Sequence, residues 1–160
     1  MTLRKTTLLD KIGSLIPGYK GYSIRGEKRN TEKKFREEIS ILIKDAESKI
    51  VSFQKQLISS DEIMLCQQWE IARKSLNTIY SKIKNSSYGV SSFFAENQLK
   101  EEELEMIYTY DLKISECVSL IAKTVESEIN EPMSAGFINQ QVIAIDTIIV
   151  DRTNFINRFK

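Results

Sequence analysis

Apolar residues recur three and four positions apart through most of this chain, and that spacing constrains the fold more than any other feature. From Thr31 to Ser59 the stripe is Phe35, Ile39, Leu42, Ala46, Ile50, Phe53 and Leu57. From Asp61 to about Lys84 it is Cys66, Trp69, Ala72, Leu76, Ile79 and Ile83. From about Leu99 to Ile129 it is Leu104, Ile107, Asp111, Ile114, Val118, Ile121 and Val125. After Pro132 it is Ile138, Val142, Ile145, Ile149, Arg152, Ile156 and Phe159. Each repeat is that of one face of an α-helix buried against neighbours. The run "VIAIDTIIV" is rich in β-branched residues, but helical spacing continues on both sides of it, so helix is expected there too. Only two prolines, Pro17 and Pro132, interrupt the chain, so long helices are permitted.

Pairs four apart, Glu32–Arg36, Asp45–Lys49 and Glu70–Lys74, favour the helical state further. Ser60 is the expected N-cap of the second long helix. Helices of this length are rods of roughly 35–45 Å. Short links join the first pair and the last pair, which makes each an antiparallel hairpin. The expected fold is an all-α, antiparallel up-and-down four-helix bundle with a short N-terminal helix near residues 6–16. A three-helix bundle with an irregular tail is the fallback. At 160 residues the chain is long enough for a proper core. It divides into a basic N-terminal segment, residues 1–30, and the bundle, residues 31–160.

Composition excludes several chemistries. There is no histidine, which removes the commonest general base, the commonest transition-metal ligand and the histidine-activated nucleophiles. The two cysteines, Cys66 and Cys117, are far apart and sit in apolar patterns, where a small core residue is the ordinary reading. No catalytic residue, cofactor or metal site is expected. The stretch "GYSIRGEK", residues 21–28, has the outline of a phosphate-binding loop. Glu27, however, stands where such a loop has its lysine, and no apolar strand precedes it. Gly18, Gly21 and Gly26 are expected to serve turns instead.

Charge is uneven. Residues 1–36 hold ten Lys and Arg against three acids, leaving +7 in a chain whose net charge is +1. Lys28, Arg29, Lys33, Lys34 and Arg36 crowd the start of a long helix, where the macrodipole disfavours cations. Aromatic residues cluster outside the stripes. Tyr19 and Tyr22 each follow a glycine in "PGYKGY", and Tyr88, Phe93 and Phe94 lie in "NSSYGVSSFFAEN", the long middle connection. Such rings either staple a connection to the core or form a contact surface. Tyr19, Tyr22, Lys28, Arg29, Lys33, Lys34, Tyr88, Phe93 and Phe94 are therefore the candidate interaction surface.

Two charges break the last two stripes. In a hairpin turning near 131–132 every stripe pair is apolar except one, which sets Asp111 opposite Arg152. They are expected to be hydrogen-bonded and to fix the register.

The motifs "LIPGYKGY", "EKRNTEKKFREEI", "SSYGVSSFF" and "EELEMIYTYDLKI" together resemble a family of uncharacterised bacterial helical proteins. Its members carry a Pro-Gly-Tyr-x-Gly-Tyr element before a charged first helix and a Tyr-Gly-aromatic loop before the third. The resemblance covers roughly residues 8–115, with Val90, Ser91 and Ser92 standing inside the loop here. It implies no activity; it implies that both aromatic elements belong to the family pattern.

These readings converge on a non-catalytic interaction or scaffold protein, cytoplasmic, with a protein partner (self or other). The alternative is a peripheral membrane protein on an anionic surface. It would use residues 1–16, with Leu8, Leu9, Ile12, Leu15 and Ile16 beside Arg4, Lys5 and Lys11. A nucleic-acid partner is less expected, because no aromatic residues interleave with the basic ones.

Overall fold

A computed structural model describes residues 7–24, 26–85, 92–95 and 99–159. Five α-helices account for most of it: α1, Leu8–Leu15; α2, Lys28–Ser59; α3, Ile63–Asn85; α4, Glu101–Ser127; and α5, Ser134–Ile156. A 3-10 turn, Ser92–Phe94, lies in the middle connection. Among the described residues there is no strand; the β-branched run in α5 is helical.

Local chemistry sets the helix ends. Thr7 caps α1: its hydroxyl accepts from the Asp10 N–H at 3.1 Å, and the Asp10 carboxylate accepts from the Thr7 N–H at 3.2 Å. This reciprocal box satisfies two donors that a helix start leaves open. Three glutamates, Glu101 to Glu103, occupy the first turn of α4, where the dipole favours anions. Ser60 departs from expectation. It closes α2 rather than opening α3, its N–H donating to the Gln56 carbonyl. The reversal then runs through Asp61, whose φ of 60° is left-handed. The Glu62 N–H returns to the Leu57 carbonyl at 2.9 Å, as in other helix ends closed by a left-handed residue.

Around the bundle the order is α2, α3, α5, α4, with α1 laid on α4. Consecutive α3 and α4 do not pack side by side, and Phe93 and Phe94, which lie between them in sequence, sit at one end of the bundle. The two hairpins run antiparallel. In the first, the Gln54 amide donates to the Cys66 carbonyl and Glu70, and Arg73 reaches Glu47. The Phe53 ring meets Trp69 edge-on at 5.7 Å. Phe53 and Trp69, each on its expected stripe, thus meet across this hairpin. One stripe position moves: Ile43 is fully buried, whereas Leu42 is only half-buried.

The core has two parts. The larger runs the length of the bundle and includes Ile12, Ile39, Ile43, Ile50, Trp69, Leu76, Ile121 and Ile138. The smaller closes the end where α2 and α4 begin and α3 and α5 finish; Tyr22, Phe93, Phe94, Leu99, Ile107, Phe155 and Ile156 form it. Residues 8–22 of the basic segment contribute to both parts, so that segment is built into the bundle.

Candidate functional site

Beneath the aromatic end lies a cluster of fully buried ionisable side chains. Asp111 comes from α4, Arg152 from α5, Glu32 from α2, and Tyr22 from the segment joining α1 to α2; none is more than 5% exposed. The Arg152 Nε donates to Asp111 Oδ1 at 2.7 Å. Its Nη1 donates to Glu32 Oε1 at 3.0 Å, and its Nη2 to Tyr22 Oη at 2.9 Å and to Glu32 Oε2. Arg36, one turn along α2, donates from Nε to Glu32 Oε1 at 2.5 Å. The Tyr19 hydroxyl donates to Asp111 Oδ2 at 2.6 Å, and the Tyr22 hydroxyl lies 2.9 Å from the same oxygen and 3.1 Å from Glu32. Two carboxylates thus face two guanidiniums, and two phenols fill the remaining acceptor positions.

Electrostatics follow from that balance. Burial pushes the Glu32 carboxyl up, but Arg152 and Arg36 outweigh it and hold its pKa at about 2. For Asp111 burial is the larger influence; its pKa is raised, with Glu32 adding to the rise and Arg152 opposing it. Burial and the nearby Asp111 raise both phenols, so Tyr19 and Tyr22 keep their protons. The Arg152 guanidinium is desolvated, yet Asp111 and Glu32 hold it charged.

The turn that delivers the tyrosines is tightly fitted. Gly21 has φ of 79°, a region that favours glycine. A Cβ there would meet Tyr108 Oη and stand 2.9 Å from Leu9 Cδ1. The Tyr108 hydroxyl accepts from the Tyr22 N–H at 2.9 Å, and the Thr31 hydroxyl donates to the Gly21 carbonyl at 2.7 Å. Above it Tyr22 stacks on Tyr108 at 6.1 Å and meets Phe93 at 5.8 Å; Phe93 in turn contacts Phe94, Phe155 and Phe159.

Asp111 and Arg152 are therefore hydrogen-bonded as expected, but the expected interaction surface is largely not a surface. Tyr22 and Phe93 are fully buried and Phe94 is 7% exposed, because their rings form the end of the core. Lys28 is buried too, its ammonium donating to the Ala95 carbonyl at 2.8 Å; burial lowers its pKa, with Glu103 opposing. Tyr19 is half-buried with its hydroxyl turned inward. Arg29, Lys33 and Lys34 remain exposed. Tyr88 lies outside the described residues, as do Arg4 and Lys5. The apolar face of α1 is also turned inward: Ile12 and Ile16 are buried, and Leu8 and Leu15 pack on the core.

Glu32 and Arg36 were legible only as a surface helix pair. Yet Glu32 continues the first stripe backward from Phe35 and Ile39, a third charge in an apolar row. Tyr108 carried no such signal.

A cavity of about 30 Å³ adjoins Arg152, lined by Phe35, Ile39, Ile83, Ile114 and Ile149. Space of that size suits about one water molecule. Among the described residues, no group of three or more His, Cys, Asp or Glu is placed to hold a metal ion. No described helix is long and apolar enough to cross a membrane. No protein-family model matches the chain, and comparison with curated proteins and with solved structures found no match.

Proposed function

We propose that this chain is a non-catalytic interaction or scaffold protein whose rigid helical bundle presents surfaces to a protein partner. The carrying observation is the state of the buried ionisable cluster. Its acids, arginines and phenols are matched with one another, and the cavity beside Arg152, about 30 Å³, is large enough for about one water molecule. Catalytic carboxylates need an approach for substrate and a proton to exchange; these have their donors within the fold. The cluster instead joins α2, α4, α5 and the N-terminal segment, which suits a scaffold that must hold its shape.

The membrane alternative requires α1 to leave α4 and expose Ile12 and Ile16. The anionic-polymer alternative would use Arg29, Lys33 and Lys34, which are exposed at the start of α2.

The test is to identify what co-purifies with the intact chain as salt is raised, alongside flotation with anionic vesicles. A stoichiometric protein partner that survives salt supports the proposal. Nucleic acid released steeply by salt would replace it with the polymer reading. Flotation lost on Lys11→Glu would replace it with the membrane reading.

A further inference from the structure

We propose that the protein partner is held through an acidic segment, laid along the outer face of α2 between the α1–α2 turn and the end of α3. The inference rests on the interaction reading above and names the surface and the chemistry that the partner brings to it.

Two open grooves meet there at Glu37. One, about 300 Å³, is lined by Gly18, Lys20, Asn30, Lys33 and Lys34 among others. The other, about 570 Å³, is lined by Ser40, Ile41, Lys44, Tyr80 and Lys84 among others. From Asn30 to Ser48 they follow α2 for roughly 27 Å. An extended segment of about eight residues spans that length.

Charge along this face is one-sided. Among the described residues, no carboxylate stands within ion-pair distance of Lys20, Lys33, Lys34 or Lys84. Arg36 and Lys44 are committed to Glu32 and Glu47. The lining acids are Glu27, Glu37 and Asp45. Asp45 is held by Lys49 at 3.3 Å, and Glu27 accepts from the Asn30 amide at 3.3 Å. The α3 wall adds no acid, since none occurs from Ile71 to Ala95. Four lysines without a counter-ion therefore stand against Glu37.

The fold also gathers like charges. Lys44 Nζ and Lys84 Nζ lie 5.2 and 5.4 Å from the centroid of the same Tyr80 ring, and Lys84 donates to Tyr80 Oη at 3.0 Å. Uncompensated like charges repel within the free chain. An anionic partner relieves that repulsion and is drawn to the face by it.

The arrangement favours a protein segment over a nucleic acid. Lysines stand at both ends of the face, while Ile41, 59% exposed, lies between them and shares its groove with the half-buried Tyr80. A peptide can set carboxylates on the lysines at each end and an apolar side chain on Ile41. A nucleic-acid strand carries a phosphate at every step, and so brings charge against Glu37 as well as against the lysines.

Fluorescence anisotropy on the full chain at physiological salt is the test. The probes are a labelled peptide repeating Glu-Glu-Leu over about nine residues, matched to the length of the face, and an oligothymidylate of equal charge. The peptide should bind more tightly than the oligothymidylate. Lys34→Glu and Lys84→Glu, both at exposed positions, should each weaken it about tenfold. Lys123→Glu makes the same charge change at an exposed position near the far end of α4. It should weaken the peptide less than about twofold, because salt screens distant charges. Circular dichroism should be the same for all three variants and the wild type. Absence of peptide binding, tighter binding of the oligothymidylate, or equal weakening by Lys123→Glu overturns the inference. A protein that co-purifies equally with the wild type and with the Lys34→Glu, Lys84→Glu double variant also overturns it, and leaves the interaction reading itself standing.

Discussion

Arg152 Nε donates to Asp111 Oδ1 at 2.7 Å across the α4–α5 hairpin, and each residue is the one charge that breaks its own helix's apolar stripe. Removing one member leaves its partner charged and short of a counter-ion in low dielectric. Asp111→Ala and Arg152→Ala should each cost about 3–5 kcal/mol. The double variant should cost clearly less than the two together, with a coupling above about 1 kcal/mol. Urea denaturation of the four proteins measures this. Simple additivity would mean that the contact contributes nothing of its own.

Gly21 and Gly26 share a left-handed backbone, with φ of 79° and 83°, but not their surroundings. A Cβ on Gly21 runs into Tyr108 and Leu9, whereas one on Gly26 meets nothing within 4 Å. Gly26→Ala should cost about 1 kcal/mol, the strain of the backbone alone. Gly21→Ala should cost at least twice that, because the turn must also release the Tyr22 N–H from Tyr108. Equal losses in thermal or urea melts would contradict the crowding described for Gly21.

Acid should expose the role of Glu32. Its pKa in the fold, about 2, lies below the ordinary 4.5. Its contribution is therefore complete above about pH 4.5 and is lost as pH falls through 2. Asp111, with a raised pKa, acts in the opposite sense and loses its contribution as pH rises. The stability gap between wild type and Glu32→Gln should hold steady above pH 4.5 and shrink on acidification, by roughly 3 kcal/mol at full protonation. A gap that stays constant between pH 4.5 and 2 would show that the Glu32 carboxyl is not held by the arginines.

Trp69 separates volume from polarity. It is fully buried, and its Nε1 has no hydrogen-bond partner. Trp69→Ala should cost about 3–5 kcal/mol through the cavity left against Phe53. Trp69→Phe also removes an unsatisfied donor, which offsets part of the lost packing. Its cost should stay below about half that of the alanine. Comparable losses in equilibrium unfolding would mean that the indole N–H is in fact satisfied.

The bundle was legible because its helices bury one face each, and burial writes itself into spacing. The same logic exposed Asp111 and Arg152 as interruptions and fixed the register of their hairpin. Caps were harder: Ser60 is chemically suited to open α3, yet Asp61 can take a left-handed φ, so the serine closes α2 instead. The fate of Tyr22, Lys28, Phe93 and Phe94 was not legible. They lie in or beside connections without a period, and only the packed fold brings their side chains together at the bundle end. Glu32 was hidden differently. An acid four residues before Arg36 reads as an ordinary surface pair, although its place on the stripe from Phe35 to Ile39 marked it as buried.

The polar cluster draws on positions as far apart as Tyr22 and Arg152, separated by 130 residues, while each hairpin needs only neighbours in sequence. Such long closures come late in folding. The cluster then acts less on how fast the chain reaches its native state than on how long it stays there. Stopped-flow measurements should find that Asp111→Ala and Arg152→Ala steepen the loss of native chains with time and leave the refolding rate nearly unchanged. A bundle end that looks like a seal in space would then be, for the chain's lifetime, a latch.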